Sequence, residues 1–90
     1  MRIKKAASAG SQEKGDVLIQ IEPIENSENY IEIKSSVIKL FGSQIKKSIE
    51  ESLVQYQLKG VKVTVNDRGA LDFVIKARFE SAVKRGEIIE

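Results

Sequence analysis

Between Asp16 and Lys34 the chain alternates. Val17, Ile19 and Ile21 are apolar at every second position, with Leu18, Gln20 and Glu22 between them. That period of two predicts a half-buried strand. Pro23, with no N–H to donate to a ladder, suits its end. Glu25-Asn26-Ser27-Glu28-Asn29 is turn chemistry, and Tyr30 to Lys34 alternates again with Ile31 and Ile33 on one face. The pattern predicts a β-hairpin with a loose loop, 16–24 paired with 29–35.

The period then changes. Val37, Phe41, Ile45, Ile49, Leu53 and Tyr56 follow at spacings of four, four, four, four and three. That is one apolar stripe along a helix. Ser35 or Ser36 can cap its start by accepting a backbone N–H. Gly42 costs about 1 kcal/mol inside a helix and marks a possible break, with Ser43 capping a second segment. Gly60 is placed to end the helical region.

Val61, Val63 and Val65 alternate with Lys62, Thr64 and Asn66, which predicts a third strand. Asn66 to Ala70 is a turn in which Gly69 can take positive φ. Leu71, Phe73, Ile75, Ala77 and Phe79 then alternate, which predicts a fourth strand hairpinned to the third. A helical reading through Leu71, Val74, Ile75, Arg78 and Ala82 matches less well. Residues 80–85 can add a helical turn or two before a frayed end. The expected fold is β-β-α-β-β, an α+β two-layer sandwich. Its four-stranded, largely antiparallel sheet packs on one main helix, with a short C-terminal helix as an option.

Ahead of this domain, Ile3 is the only large apolar residue after Met1 up to Lys14. Such a stretch has little to bury. Residues 1–14 are therefore expected to be a flexible arm, which Ile3 can pin down as an edge strand, and residues 15–90 a single globular domain.

Composition narrows the function. The chain has 90 residues, 41% hydrophobic and 31% charged, which suits one small domain of modest stability. It has no cysteine, which excludes disulfides and thiolate metal sites. It has no histidine either, so the usual general base and the commonest metal ligand are missing. No Asp/Asn cluster has calcium-loop spacing. No catalytic residue and no metal site are expected. The net charge of +2 argues against a dedicated nucleic-acid binder. The outward register of the strands adds one Tyr among mixed charges, a poor platform for stacking bases. No apolar run approaches the roughly 20 residues of a membrane span, and the first seven residues lack the apolar core of a signal peptide. A cytoplasmic chain with neither membrane nor nucleic acid as partner is expected.

One stretch stands out. Ala9-Gly10-Ser11-Gln12-Glu13-Lys14-Gly15-Asp16-Val17 is small, polar and flexible, and runs straight into a strand. Ser35-Ser36-Val37, Phe41-Gly42, Asp67, Gly69-Ala70-Leu71-Asp72 and Ala77-Arg78 follow in order. In order and spacing, over nearly the whole chain, these markers resemble the acyl carrier protein (gamma chain) family of citrate lyase. The delta subunit of malonate decarboxylase looks like a more distant relative.

The resemblance implies a non-catalytic carrier. Family members hold 2'-(5''-triphosphoribosyl)-3'-dephospho-CoA by a phosphodiester to a serine just before the Gly-Asp step. Its thiol moves acetyl and citryl groups between acyltransferase (alpha) and lyase (beta) subunits, after a prosthetic-group transferase has attached it. A tethered thioester works at high effective concentration, and the cofactor supplies the nucleophile. The attachment position falls on Lys14, followed by Gly15 and Asp16, and a lysine amine cannot form that phosphodiester. Three readings follow: a redesigned carrier with its site removed, a natural relative that has lost loading, or loading moved to Ser11, with Ser8 a weaker site.

Apart from the resemblance, plainer roles are available. Ser11 is a loop serine, and Gly15 and Asp16 are strand-entry residues. Asp67 and Gly69 form a turn, and Asp72 with Arg78 makes a surface ion pair. Arg78 can alternatively face a partner or the cofactor phosphates. Two other functions compete with the carrier: a small nucleic-acid or protein-binding α+β module, and a small enzyme using Asp, Glu and Lys.

Overall fold

The computed structural model describes residues 2–87. Met1 and residues 88–90, at the far ends of the expected arm and domain, lie outside them. The elements are β1 (Ala7–Gly10), β2 (Val17–Pro23), β3 (Tyr30–Ser35), α1 (Ile38–Gln55), β4 (Val61–Asp67) and α2 (Asp72–Arg85). The sheet order is β1-β2-β4-β3. β1 and β2 are antiparallel, as are β2 and β4, whereas β3 runs parallel to β4. The fold is α+β, four strands with two helices.

Val17, Ile19 and Ile21 of β2 and Val61, Val63 and Val65 of β4 are buried. They form one core with Ile45, Ile49 and Leu53 of α1 and Ile75, Phe79, Ala82 and Val83 of α2. α2 packs beneath β1 and β2, and α1 beneath β3. α1 runs unbroken through Gly42, so no second segment starts at Ser43. Its N-cap is Val37, which has no side-chain cap, while the Ser35 hydroxyl accepts the Val37 N–H at 3.1 Å. Tyr56 ends the stripe at the C-cap and stacks on Phe79 with ring centroids 6.2 Å apart.

Two expected pairings are corrected. β2 and β3 do not form a hairpin, because β4 lies between them. The connection passes the start of β4 and is bonded there. Ile24 N–H donates to the Gly60 carbonyl at 2.9 Å, and the Asn29 amide donates to Leu58 O at 2.9 Å and accepts the Val61 N–H at 3.1 Å. The crossover through α1 then brings β4 back parallel to β3, the usual use of a helix between parallel strands.

The expected fourth strand, 71–79, is instead most of helix α2. β4 already has β2 on one edge and β3 on the other, so it has no free edge for a hairpin partner. Ile75, Phe79, Ala82 and Val83 stand at i, i+4, i+7 and i+8 and are all buried. Leu71 and Phe73, the other large members of the alternating set, are exposed.

Within the stretch expected to be an arm, residues 7–10 form edge strand β1 against β2. Ile3 is buried, and the Lys4 and Lys5 amides both donate to the Gly86 carbonyl, at 2.9 and 3.2 Å. Among the described residues, no helix is long and apolar enough to cross a membrane.

Candidate functional site

The loop between β1 and β2 spans residues 11–16. Gly10, with φ +95°, turns the chain out of β1 where Ala9 is buried. A side chain does not fit there, since a Cβ on Gly10 falls 1.8 Å from the Val17 carbonyl oxygen. Ser11 N–H donates to that same carbonyl at 3.2 Å, closing the loop's base. Gly15 takes φ +86° in open space. Positive φ at both glycines is conformationally cheap only for this residue type.

Asp16 is the hub of the loop. Its carboxylate accepts the Ser11 hydroxyl at 2.8 Å and the Val17 N–H at 2.7 Å. It also accepts both ends of the Arg78 fork, Nε at 3.1 Å and Nη2 at 3.3 Å. The Ser11 hydroxyl, then the Val17 N–H, then the guanidinium hold Asp16 well below the usual carboxylate range, at about 2. The loop is also stitched to the β4–α2 connection. Gly15 N–H donates to Arg68 O at 2.7 Å, Arg68 N–H to Asp16 O at 2.9 Å, and Arg68 Nη1 to Gln12 O at 3.3 Å.

The structure therefore brings Ser11 and Asp16 together and anchors Gly15 to Arg68. Lys14 is not drawn into this cluster and lies exposed on the loop. Lys14 is thus exposed between two bonded neighbours, with Glu13 N–H held by the Ser11 hydroxyl and Gly15 N–H by the Arg68 carbonyl.

Arg78 is the residue whose role the sequence hid. Its expected partner Asp72 instead accepts the Ser48 hydroxyl and pairs with Lys76 at 3.4 Å. Arg78 and Asp16 are separated by 62 positions, and only the packing of α2 under β1 and β2 joins them. Asp67 is a turn former as expected, but a buried one. It accepts the Ser35 hydroxyl at 2.8 Å and the Ala70 N–H at 2.9 Å. Among the described residues, no group of acidic side chains is placed to hold a metal ion.

Comparison with known proteins gives a consistent result. Residues 4–86 match the acyl carrier protein family model described as malonate decarboxylase delta subunit (MdcD). A citrate lyase acyl carrier protein of Treponema denticola is 44% identical over 85 residues, covering 94% of this chain and 95% of that one. A chain in a crystal structure of a Pseudomonas malonate decarboxylase hetero-tetramer in complex with malonate superposes with a TM-score of 0.74. It is 21% identical, with 92% of this chain and 84% of that chain covered. The RNase P protein of Staphylococcus aureus superposes with a TM-score of 0.57 at 13% identity, with the same coverage of 92% and 84%. These two structural likenesses concern the fold alone.

Proposed function

The chain belongs to the acyl carrier protein family of citrate lyase carriers and malonate decarboxylase delta subunits, and on that premise we propose that it is the carrier subunit of a citrate lyase-type complex in the cytoplasm, non-catalytic by itself. The observation that carries this reading is the loop of residues 11–16. Its frame is locked by Asp16, Arg78 and Arg68 while residue 14 is turned outward.

In such a complex the partners are an acyltransferase (alpha) subunit and a lyase (beta) subunit, with a prosthetic-group transferase for loading. The group expected in the family, 2'-(5''-triphosphoribosyl)-3'-dephospho-CoA, supplies a thiol that carries acyl groups as thioesters. The residue at the family's attachment position does not fit covalent attachment of that group. Position 14 offers an amine where a phosphodiester needs a hydroxyl. The Ser11 hydroxyl donates to Asp16 at 2.8 Å and accepts the Glu13 N–H at 3.3 Å, two bonds that brace the loop. We therefore read Lys14 as disarming the attachment position and Ser11 as a brace of the loop. Gly15 and Asp16 act by setting the loop's path rather than by touching the group.

The test of the carrier role is assembly. The full chain, mixed with the acyltransferase and lyase subunits of a citrate lyase, is expected to co-elute with them on size exclusion. Remaining free while a characterised citrate lyase carrier assembles under the same conditions overturns the reading. Assembly with malonate decarboxylase subunits alone overturns it in favour of a delta-type carrier.

A further inference from the structure

The two edges of the sheet are not alike. β1 ends it on one side and β3 on the other. β1 is four residues long, and Arg85 Nη1 donates to Ser8 O at 2.9 Å. Ser11 N–H reaches across to Val17 O, so alternation turns the backbone groups of Ser8 away from β2. Arg85 therefore occupies the open side of β1. β3 is six residues long. Ser36 N–H donates to Asp67 O at 3.4 Å, so Glu32 and Lys34 bond β4 as well. Ile31, Ile33 and Ser35 then turn their N–H and C=O groups to the other edge. No described segment pairs with that edge. Such a row of unmatched donors and acceptors is a template for a further strand.

The side chains of β3 restrict which strand fits. Ile31 and Ile33 lie at the rim of the core, packed against it but only partly buried. Glu32 and Lys34 alternate with them, are exposed, and meet each other loosely at 3.9 Å. A second β3 laid antiparallel keeps its apolar face on the core side only in alternate registers, because a one-residue slip reverses the faces. Centred on Glu32, such a pair opposes Glu32 to Glu32. Centred on Lys34, it opposes Lys34 to Lys34. Centred on Ile33, it sets Glu32 of each copy against Lys34 of the other. Opposite charges across a ladder stabilise it and like charges oppose it. The same register matches Ile33 with Ile33 and Ile31 with Ser35, the residues whose backbone groups face the open edge. They become the hydrogen-bonded pairs. Glu32 and Lys34 become the non-hydrogen-bonded pairs, in which side chains approach most closely.

We propose that the open edge of β3 binds a second copy of this chain, antiparallel about Ile33, and joins two four-stranded sheets into one. The strand is self-complementary in backbone bonding, in apolar face and in charge. The contact uses the same surface on both copies, so it closes at two. The far edges of the joined sheet are the β1 edges that Arg85 occupies, which stops further growth. The residue-14 loop belongs to β1 and β2, so self-association and the carrier role are separate properties of the fold.

The test is sedimentation equilibrium of the full chain from about 10 μM to about 1 mM, a range suited to the weak affinity of a small interface. The mass is expected to rise from one chain to two and no further. Over the same range, amide exchange at Ile31, Ile33 and Ser35 is expected to slow, while that of residues 7–10 stays constant. Lys34→Glu sets acid against acid in the same register, and Glu32→Lys sets lysine against lysine. Each is expected to raise the dissociation constant about tenfold or more. The double variant Glu32→Lys/Lys34→Glu restores the native value with the net charge unchanged. Circular dichroism is expected to match the native chain in all three, since both positions are exposed. A single-chain mass at every concentration overturns the proposal. So does a dimer that either single reversal leaves intact, or one that the double variant fails to restore. A mass growing beyond two chains also overturns it.

Discussion

Arg78, on the helix under the sheet, grips Asp16 at the end of the β1–β2 loop through both arms of its guanidinium, Nε to Oδ1 at 3.1 Å and Nη2 to Oδ2 at 3.3 Å. A planar fork on a carboxylate fixes orientation as well as distance. Asp16 in turn holds Ser11. The path of the loop is thus set from α2, and the exposed residue 14 is carried on a frame rather than on a loose tether.

This frame is sensitive to acid. Asp16 is lowered from 3.8 to about 2, first by the Ser11 hydroxyl, then by the Val17 N–H and by Arg78. A carboxyl with a depressed folded pKa contributes stability that is present above its unfolded pKa. That contribution is lost as pH falls from about 3.8 through about 2. Carboxyl NMR titration is expected to find Asp16 near the lower value and to find it raised in Ser11→Ala. In Asp16→Asn this part of the acid dependence disappears. Titration of native Asp16 at an ordinary carboxylate value contradicts the bonding described.

The two loop glycines differ in what they tolerate. Gly10→Ala meets both a left-handed φ and the Val17 carbonyl at 1.8 Å, whereas Gly15→Ala meets the φ penalty in open space. Thermal or denaturant unfolding is expected to show about 1 kcal/mol lost for Gly15→Ala and about 3 kcal/mol or more for Gly10→Ala. Equal losses would place Gly10 in a different conformation.

Phe73 and Phe79 distinguish helix from strand. On an alternating strand both face the same way, but on α2 Phe79 is fully buried against Tyr56 and Phe73 is 69% exposed. Phe79→Ala is expected to cost about 3–5 kcal/mol. Phe73→Ser is expected to change stability by about 0.5 kcal/mol or less. Similar losses at both positions would restore the strand.

Much of this was legible in the chain. The alternation of Val17–Ile21 and Val61–Val65, and the four-residue spacing from Phe41 to Leu53, read directly as β2, β4 and α1. What failed was the choice of neighbours. Residues 24–29 look like hairpin turn chemistry, yet Asn29 is used to bond the start of β4, a contact with residues 29 and 32 positions away. Residues 71–79 carry both periods at once. The helical one prevails because β4 has no free edge and because Ala82 and Val83 extend the stripe. The loop's glycines and Asp16 were visible from the order of motifs. Arg78 stood in the same order of motifs, but its pairing with Asp16 was not legible, because a surface ion pair with Asp72 satisfies the local pattern equally well.

The central claim is that residue 14 is the presented position of a carrier fold and that lysine disarms it. The most direct measurement is the intact mass of the chain and of Lys14→Ser, each co-expressed with the prosthetic-group transferase, followed by peptide mapping of residues 1–20. The expected result is no added mass on the chain itself and the mass of the prosthetic group on residue 14 of Lys14→Ser. Added mass on Ser11 of the unaltered chain, or a Lys14→Ser protein that stays bare, would contradict it.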